Sequence, residues 1–145
     1  MNMLGHKATD RITGLKGVVT AYAEFLHAPK RIELSPVNLE KGEPIKPVWL
    51  DVPRLKLEAV KIKVPVIPTT VELGQEVTDS LTGFKGIATG RFVFINGCIR
   101  IEVTPTTLKD GVPLEAQSFD EQRVTPKSKA PAGGPRSGPT PYSRP

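Results

Sequence analysis

Residues 4–54 and 73–123 of this chain align without a gap at an offset of 69, with 19 of the 51 aligned positions identical. The shared residues read Leu-Gly, then Thr-Asp-x-x-Thr-Gly-x-Lys-Gly, then Thr, Phe, Arg-Ile-Glu, Pro, Leu, Gly and Pro, and finally Asp-x-x-Arg. A repeat of this kind means one fold unit used twice. A unit of about 55 residues lies near the lower limit for a self-sufficient core, so each copy is expected to lean on its neighbour.

Within each copy the pattern favours strands. Residues 18–25 (VVTAYAEF) and 87–94 (IATGRFVF) are rich in β-branched and aromatic side chains, and each follows a turn-forming Thr-Gly-x-Lys-Gly. Gly14 and Gly83 suit a turn position with positive φ, which glycine adopts at little steric cost. Ile95-Asn96-Gly97-Cys98 predicts a two-residue hairpin with a primed turn. The strand that follows, residues 98–103, places Ile99, Ile101 and Val103 on one face and Cys98, Arg100 and Glu102 on the other. In the first copy Ile32 and Leu34 point inward, and Arg31 and Glu33 outward. Turns at Lys41-Gly42 and Asp110-Gly111 lead to a last short strand, near residues 49–57 and 118–124. Alternation over residues 55–62 favours a strand, and nothing supports a long helix.

The copies differ at the hairpin. His27-Ala28 stands where Asn96-Gly97 does, and Pro29 replaces Cys98, so a wider connection is expected there. Between the copies, EAVKIKVPVIPTTVE is β-prone, but Pro65 and Pro68 cannot donate to a ladder. It should run along an edge or form a stiff extended connector that fixes the copies relative to one another. Residues 127–145 include five prolines and three glycines and almost no apolar side chains, so they cannot bury a core. They read either as a solvated end without function or as an extended basic arm lying across a neighbouring subunit, with Tyr142 as an apolar contact, and we take the arm as the expectation. The expected organisation is a first unit at 1–57, a connector at 58–72, a second unit at 73–126 and the arm at 127–145. The expected fold is all-β: two tandem small SH3-like barrels with a β-prone connector and an extended C-terminal arm.

Charge and cysteine content narrow the function classes. The net charge is +5, yet residues 4–57 carry nine Lys/Arg against six Asp/Glu, and residues 73–126 carry five against seven. Four basic residues and no acid lie in the last 19 positions. A nucleic-acid-binding domain is expected to carry its basic face on the folded part, an expectation this distribution meets weakly. Cys98 is the only cysteine, so no intrachain disulfide is possible and an intracellular origin is favoured. The start MNMLGHKATDRITG lacks the apolar core of a signal peptide, and no apolar stretch approaches a membrane span. Synthesis in the cytoplasm, with no membrane partner, is the expectation.

The openings Leu4-Gly5-x-x-Ala8-Thr9-Asp10-x-x-Thr13-Gly14-x-x-Gly17-Val18-Val19 and Leu73-Gly74-x-x-Val77-Thr78-Asp79-x-x-Thr82-Gly83-x-x-Gly86-Ile87-Ala88 look like the KOW-type beginning of small barrels. The fuller pattern of the second copy continues through Ile95-Asn96-Gly97-Cys98-Ile99-Arg100. It then adds Asp110-Gly111-x-Pro113-x-Glu115-Ala116-x-x-Phe119-Asp120-Glu121-Gln122-Arg123. This pattern resembles small virion-associated proteins of tailed bacteriophages, usually found as a single copy. The resemblance covers about 100 residues, and the second copy matches along residues 73–124. The first departs at its hairpin and at Val48-Trp49-Leu50-Asp51. The resemblance implies a structural virion component on the capsid surface, a decoration or cement protein whose partner is the major capsid protein. Self-association is open. Alternatives are a KOW-like nucleic-acid-binding module and a tail, collar or baseplate component.

No residue set points to catalysis, a cofactor or a metal. His6 and His27 lie 21 positions apart, neither is repeated, and Cys98 has no cysteine partner, whereas a metal site needs three or four ligands at close spacing. Cys98 reads as a small apolar filler at a strand start, and a nucleophile would need a positioned base. Thr-Gly-x-Lys-Gly lacks the first glycine and the spacing of a phosphate loop, and no helix follows it. Asp51 and Arg54, repeated as Asp120 and Arg123, read as pairs closing a tight bend. Candidate partner-binding residues are Trp49, His27 and Pro29 in the first copy and Asn96 and Gly97 in the second. Lys127, Lys129, Arg136, Tyr142 and Arg144 are the candidates in the arm. Trp49 reads equally as core or as an interface anchor.

Overall fold

The computed structural model describes residues 2–127, and these are all-β apart from two single 3-10 turns. Lys129, Arg136, Tyr142 and Arg144 lie outside the described residues. The first copy forms β1 (His6–Asp10), β2 (Lys16–Phe25), β3 (Arg31–Pro36), the short β4 (Leu39–Glu40) and β5 (Glu43–Pro44), and β6 (Val48–Asp51). A 3-10 turn (Val52–Arg54) then leads into β7 (Leu55–Val60). The second copy repeats this as β8 (Glu76–Asp79), β9 (Lys85–Phe94), β10 (Ile99–Thr104), β11 (Leu108–Lys109), β12 (Val112–Pro113) and β13 (Gln117–Asp120). Its 3-10 turn is Glu121–Arg123, followed by β14 (Val124–Pro126). The antiparallel order is β7-β1-β2-β3-β6 in one copy and β14-β8-β9-β10-β13 in the other. Among the described residues no ladder joins β6 to β7 or β13 to β14, so the sheet is open.

Three local expectations need correction. The predicted last strand is two strands, separated by the 3-10 turn. In the first copy Pro53 sits in that turn and has no amide hydrogen to give a ladder. The Asn96-Gly97 hairpin is not the two-residue primed type. The Gly97 amide donates to the Phe94 carbonyl at 2.9 Å and the Phe94 amide to the Cys98 carbonyl at 2.9 Å, while Gly97 alone has positive φ. That is the three-residue loop with a glycine bulge. The primed two-residue turns occur instead at Lys41-Gly42 and Asp110-Gly111, where both residues of each pair have positive φ. Third, Cys98 is exposed and fills no core space. In the first copy the wider connection expected at His27-Ala28-Pro29 spans residues 26–30.

Each long strand contains a bulge that the sequence pattern concealed. The β2–β3 register shifts between Val19 and Ala21, leaving Thr20 unmatched, and the β9–β10 register skips Thr89 in the same way. The extra residue bends the strand and shifts its alternation by one. Val19 faces Leu34 in the core, yet beyond the bulge it is Tyr22 that faces buried Ile32. Each threonine hydroxyl is held at the bulge. Thr20 Oγ1 lies 2.8 Å from Glu33 and 2.7 Å from Ser35, and Thr89 Oγ1 lies 2.8 Å from Glu102 and 2.7 Å from Thr104.

The bulge frees the outer half of each long strand for a new neighbour. Residues 16–18 of β2 pair with β1, but residues 21–25 pair along the same edge with residues 90–94 of β9. The seam is centred on Ala23 opposite Phe92, which are equivalent positions under the offset of 69. It therefore has the form of a pseudo-two-fold contact, in which the same patch of each copy meets the other. Its two ends are closed by equivalent bonds, Leu26 amide to Thr89 carbonyl at 2.9 Å and Ile95 amide to Thr20 carbonyl at 2.8 Å. The ten-stranded sheet thus runs through both copies.

One buried cluster, including Val19, Ile32 and Leu34 of the first copy and Val77, Ile101 and Val103 of the second, packs beneath this sheet. At one pair of positions the copies trade volume between strands. Ala8 and Val19 on β1 and β2 become Val77 and Ala88 on β8 and β9, an exchange of large and small side chains between adjacent strands. The connector after β7 passes over the seam without forming a strand. Val71 is fully buried, and Val64 and Ile67 pack against the core.

Candidate functional site

The residues most fully repeated in structure are those of the turn between the first two strands of each copy. Asp10 ends β1, and its buried carboxylate gathers the turn around itself. The amides of Ile12 and Thr13 donate to it at 3.3 Å, and the Thr13 hydroxyl at 2.5 Å. The Gly14 amide closes onto the Asp10 carbonyl at 2.8 Å, with Gly14 at φ 79°. From the far end of the copy, Arg54 grips both carboxylate oxygens, Nε at 3.0 Å and Nη2 at 2.7 Å. Asp79 does the same with Leu81, Thr82 and Gly83, the Thr82 hydroxyl again donating to the carboxylate, and Arg123 grips it at 3.0 and 2.8 Å. The Asp side chains are 1% and 0% exposed.

These pairs correct the expected Asp51/Arg54 and Asp120/Arg123 bridges. Because β7 lies beside β1 with Leu55 opposite Asp10, Arg54 falls next to Asp10 rather than folding back on Asp51. Asp51 and Asp120 instead receive Arg31 at 3.1 Å and Arg100 at 2.9 Å, in exposed pairs worth about 0–1 kcal/mol each. The pattern Asp-x-x-Thr-Gly, present twice, was a legible sign of a carboxylate-capped turn. Its arginine lay 44 residues away and was not.

The arginine hydrogen bond is the first cause that holds each carboxyl well below its ordinary 3.8, with the threonine and amide bonds assisting and burial opposing. A carboxyl depressed in the folded state stabilises the fold above its unfolded value and loses that contribution as pH falls through the folded one. Denaturant midpoints are therefore expected to drop as pH falls below about 4 and to keep dropping to the lowest accessible pH. The double change Asp10→Asn, Asp79→Asn is expected to flatten that limb. An unchanged limb in that variant would assign acid sensitivity to other groups.

The seam itself carries the main difference between the copies. Glu24 sits opposite Arg91, bonded at 2.9 Å, with Lys30 adding a second cation at 3.2 Å. The pair related to it by the pseudo-two-fold is Tyr22 opposite Val93. Burial pushes the Glu24 carboxyl up, but Arg91 and Lys30 outweigh it and hold the group below its ordinary value. Pairing first copy with first copy would set Glu24 against Tyr22 twice, and second with second would set Arg91 against Val93 twice. The seam thus favours unlike copies, since second with second leaves Arg91 without its carboxylate and first with first leaves Glu24 with Lys30 alone.

Trp49 resolves as an inter-copy contact. It meets Phe92 edge-on at 6.0 Å between ring centroids, and Phe92 meets Phe25 at 5.6 Å. The equivalent positions across the seam hold Ser118, Ala23 and Phe94, so one ring stands where the other side has three. His27 and Pro29 are exposed in the wide loop, while exposed Asn96 and Gly97 border a groove with Ile67, Pro68 and Glu121. Lys127 lies 3.6 Å from Glu76 in an exposed pair. The structure does not bring these candidates together in one site. Among the described residues no group of three or more His, Cys, Asp or Glu could hold a metal ion, and no helix is long and apolar enough to cross a membrane. Comparison with family models, curated proteins and solved structures found no match for this chain.

Proposed function

We propose that the chain is a non-enzymatic structural protein of a tailed-phage virion: two SH3-like barrels in tandem that decorate the capsid surface and bridge neighbouring major-capsid subunits. The strand order of each copy and the 3-10 turn before its last strand support the barrel reading. The observation that carries the bridging role is the seam from β2 to β9. It locks two equivalent modules into one body, so engagement of a first subunit makes engagement of a second effectively intramolecular. Neither contact then has to be strong. Residues 127–145 extend the clasp in this reading.

Capsids assembled without the protein are expected to lose resistance to heat and osmotic shock and to regain it when the full chain is added back. Quantitative mass spectrometry of mature particles should find it at capsomer-scale copy number. Equal stability with and without the protein would end the cement reading, and a copy number on the scale of a tail or collar would move it to that location. Salt-sensitive association with DNA or RNA near about 50 mM salt, without capsid binding, would favour the nucleic-acid module instead.

A further inference from the structure

At the tip of each carboxylate-capped turn stands a large apolar side chain that the fold does not use. Ile12 is 73% exposed and Leu81 is 75% exposed. Single exposed apolar residues are ordinary on any surface. Here an exposed branched aliphatic side chain recurs at the equivalent position of both copies, as it also does at Leu39 and Leu108, although its neighbour differs, Arg11 against Ser80. Both tips are also preorganised. The backbone amides of Ile12 and Leu81 are themselves tied to the buried carboxylate. The preceding residues bond the arginine that grips it, Arg11 amide to Arg54 carbonyl at 2.8 Å and Ser80 amide to Arg123 carbonyl at 2.7 Å. Docking a tip held this way loses little conformational freedom.

We propose that Ile12 and Leu81 are paired docking anchors, each seated in an apolar pocket with an acidic rim on one of two equivalent copies of a single partner subunit. Two observations define that partner. The anchors occupy equivalent positions in a body built about a pseudo-two-fold, so the partner presents the same pocket twice, as adjacent copies of one subunit do. Around each anchor the tip's own carboxylate is buried and neutralised, while Lys16 and Lys85 remain exposed at the base of the turn, with Arg11 added in the first copy. Complementary charge places carboxylates at the pocket rim. The inference rests on the bridging role proposed above and names the residues that perform it.

The test is co-sedimentation of the full chain with capsids assembled without it, comparing wild type, Ile12→Asp, Leu81→Asp, the double variant and Val66→Asp. Val66 is exposed and apolar but lies in the connector, outside the repeat. Each single change should weaken binding at least about tenfold, and the double change at least about a hundredfold. Val66→Asp should bind as wild type does, and melting temperatures should stay unchanged because no packed contact is lost. Double charge reversal, Lys16→Glu with Lys85→Glu, should also weaken binding. Wild-type binding that survives the double anchor change overturns the anchors and leaves bridging intact. Failure of the wild type itself to bind overturns both.

Discussion

Replacing Asp79 by alanine is expected to lower the melting temperature by roughly 10–20 °C, more than any surface substitution in this chain. The carboxylate is wholly buried, and it accepts from Arg123, from the Thr82 hydroxyl and from two turn amides. Its removal leaves a guanidinium without its partner and unties the turn between β8 and β9. Asp10→Ala should act alike, because Arg54, Thr13 and the same amides repeat the arrangement in the first copy. Asp79→Asn should fall between alanine and wild type, since an amide oxygen keeps one acceptor but not the charge. Thermal unfolding followed by circular dichroism measures all three. A fall of only a few degrees for both alanine variants would show that the pair contributes no more than an exposed salt bridge.

The second large effect is expected at Gly5, with Gly74 as its internal control. Both glycines have positive φ, +82° and +92°, so alanine at either position bears a left-handed conformation costing about 1–2 kcal/mol. Their surroundings differ. A methyl group at Gly5 would lie 1.9 Å from the Ile62 carbonyl oxygen, whereas at Gly74 the nearest atom is a Leu26 methyl at 3.5 Å. The Gly5 carbonyl also receives the amides of Lys61 and Ile62 at 2.8 and 3.0 Å, so it is where the connector is pinned to the first copy. Gly5→Ala must lift the connector off and should cost about 3 kcal/mol or more in denaturant unfolding, against about 1–2 kcal/mol for Gly74→Ala. Cleavage of residues 61–72 by protease should quicken in the first variant alone. Equal costs at the two positions would mean that the connector is not seated on Gly5.

Both variants examine features whose parts were legible in the sequence while their partners were not. Asp10, Thr13 and Gly14 announce a turn through short-range rules, since an Asp side chain bonds amides two and three residues on. Nothing local assigns Arg54 to Asp10 rather than to Asp51, which is nearer in sequence. That choice is made by the β1–β7 ladder, which sets Leu55 opposite Asp10. The bulges at Thr20 and Thr89 were hidden for a related reason. A stretch such as VVTAYAEF reads as one strand whether or not its alternation slips, because small alanines satisfy either face. The slip shows only against β3, where Ala21 stands opposite Glu33. Asn96-Gly97 misled in the opposite sense, having the composition of a primed turn while Asn96 keeps negative φ and the glycine alone takes the left-handed conformation.

The duplication, the all-β character, the inward set Ile32, Leu34, Ile99, Ile101 and Val103, and the divergence of the two hairpins follow from the chain's own pattern. They depend on interactions within a few residues or on comparing one copy with the other. The seam between β2 and β9, the Asp–Arg braces, the meeting of Trp49 with Phe92 and the paired presentation of Ile12 and Leu81 depend on which strand edges meet. Hydrogen-bonding edges are chemically alike along any strand, so their pairing is selected by the packing of the whole sheet. Only the folded chain makes that selection.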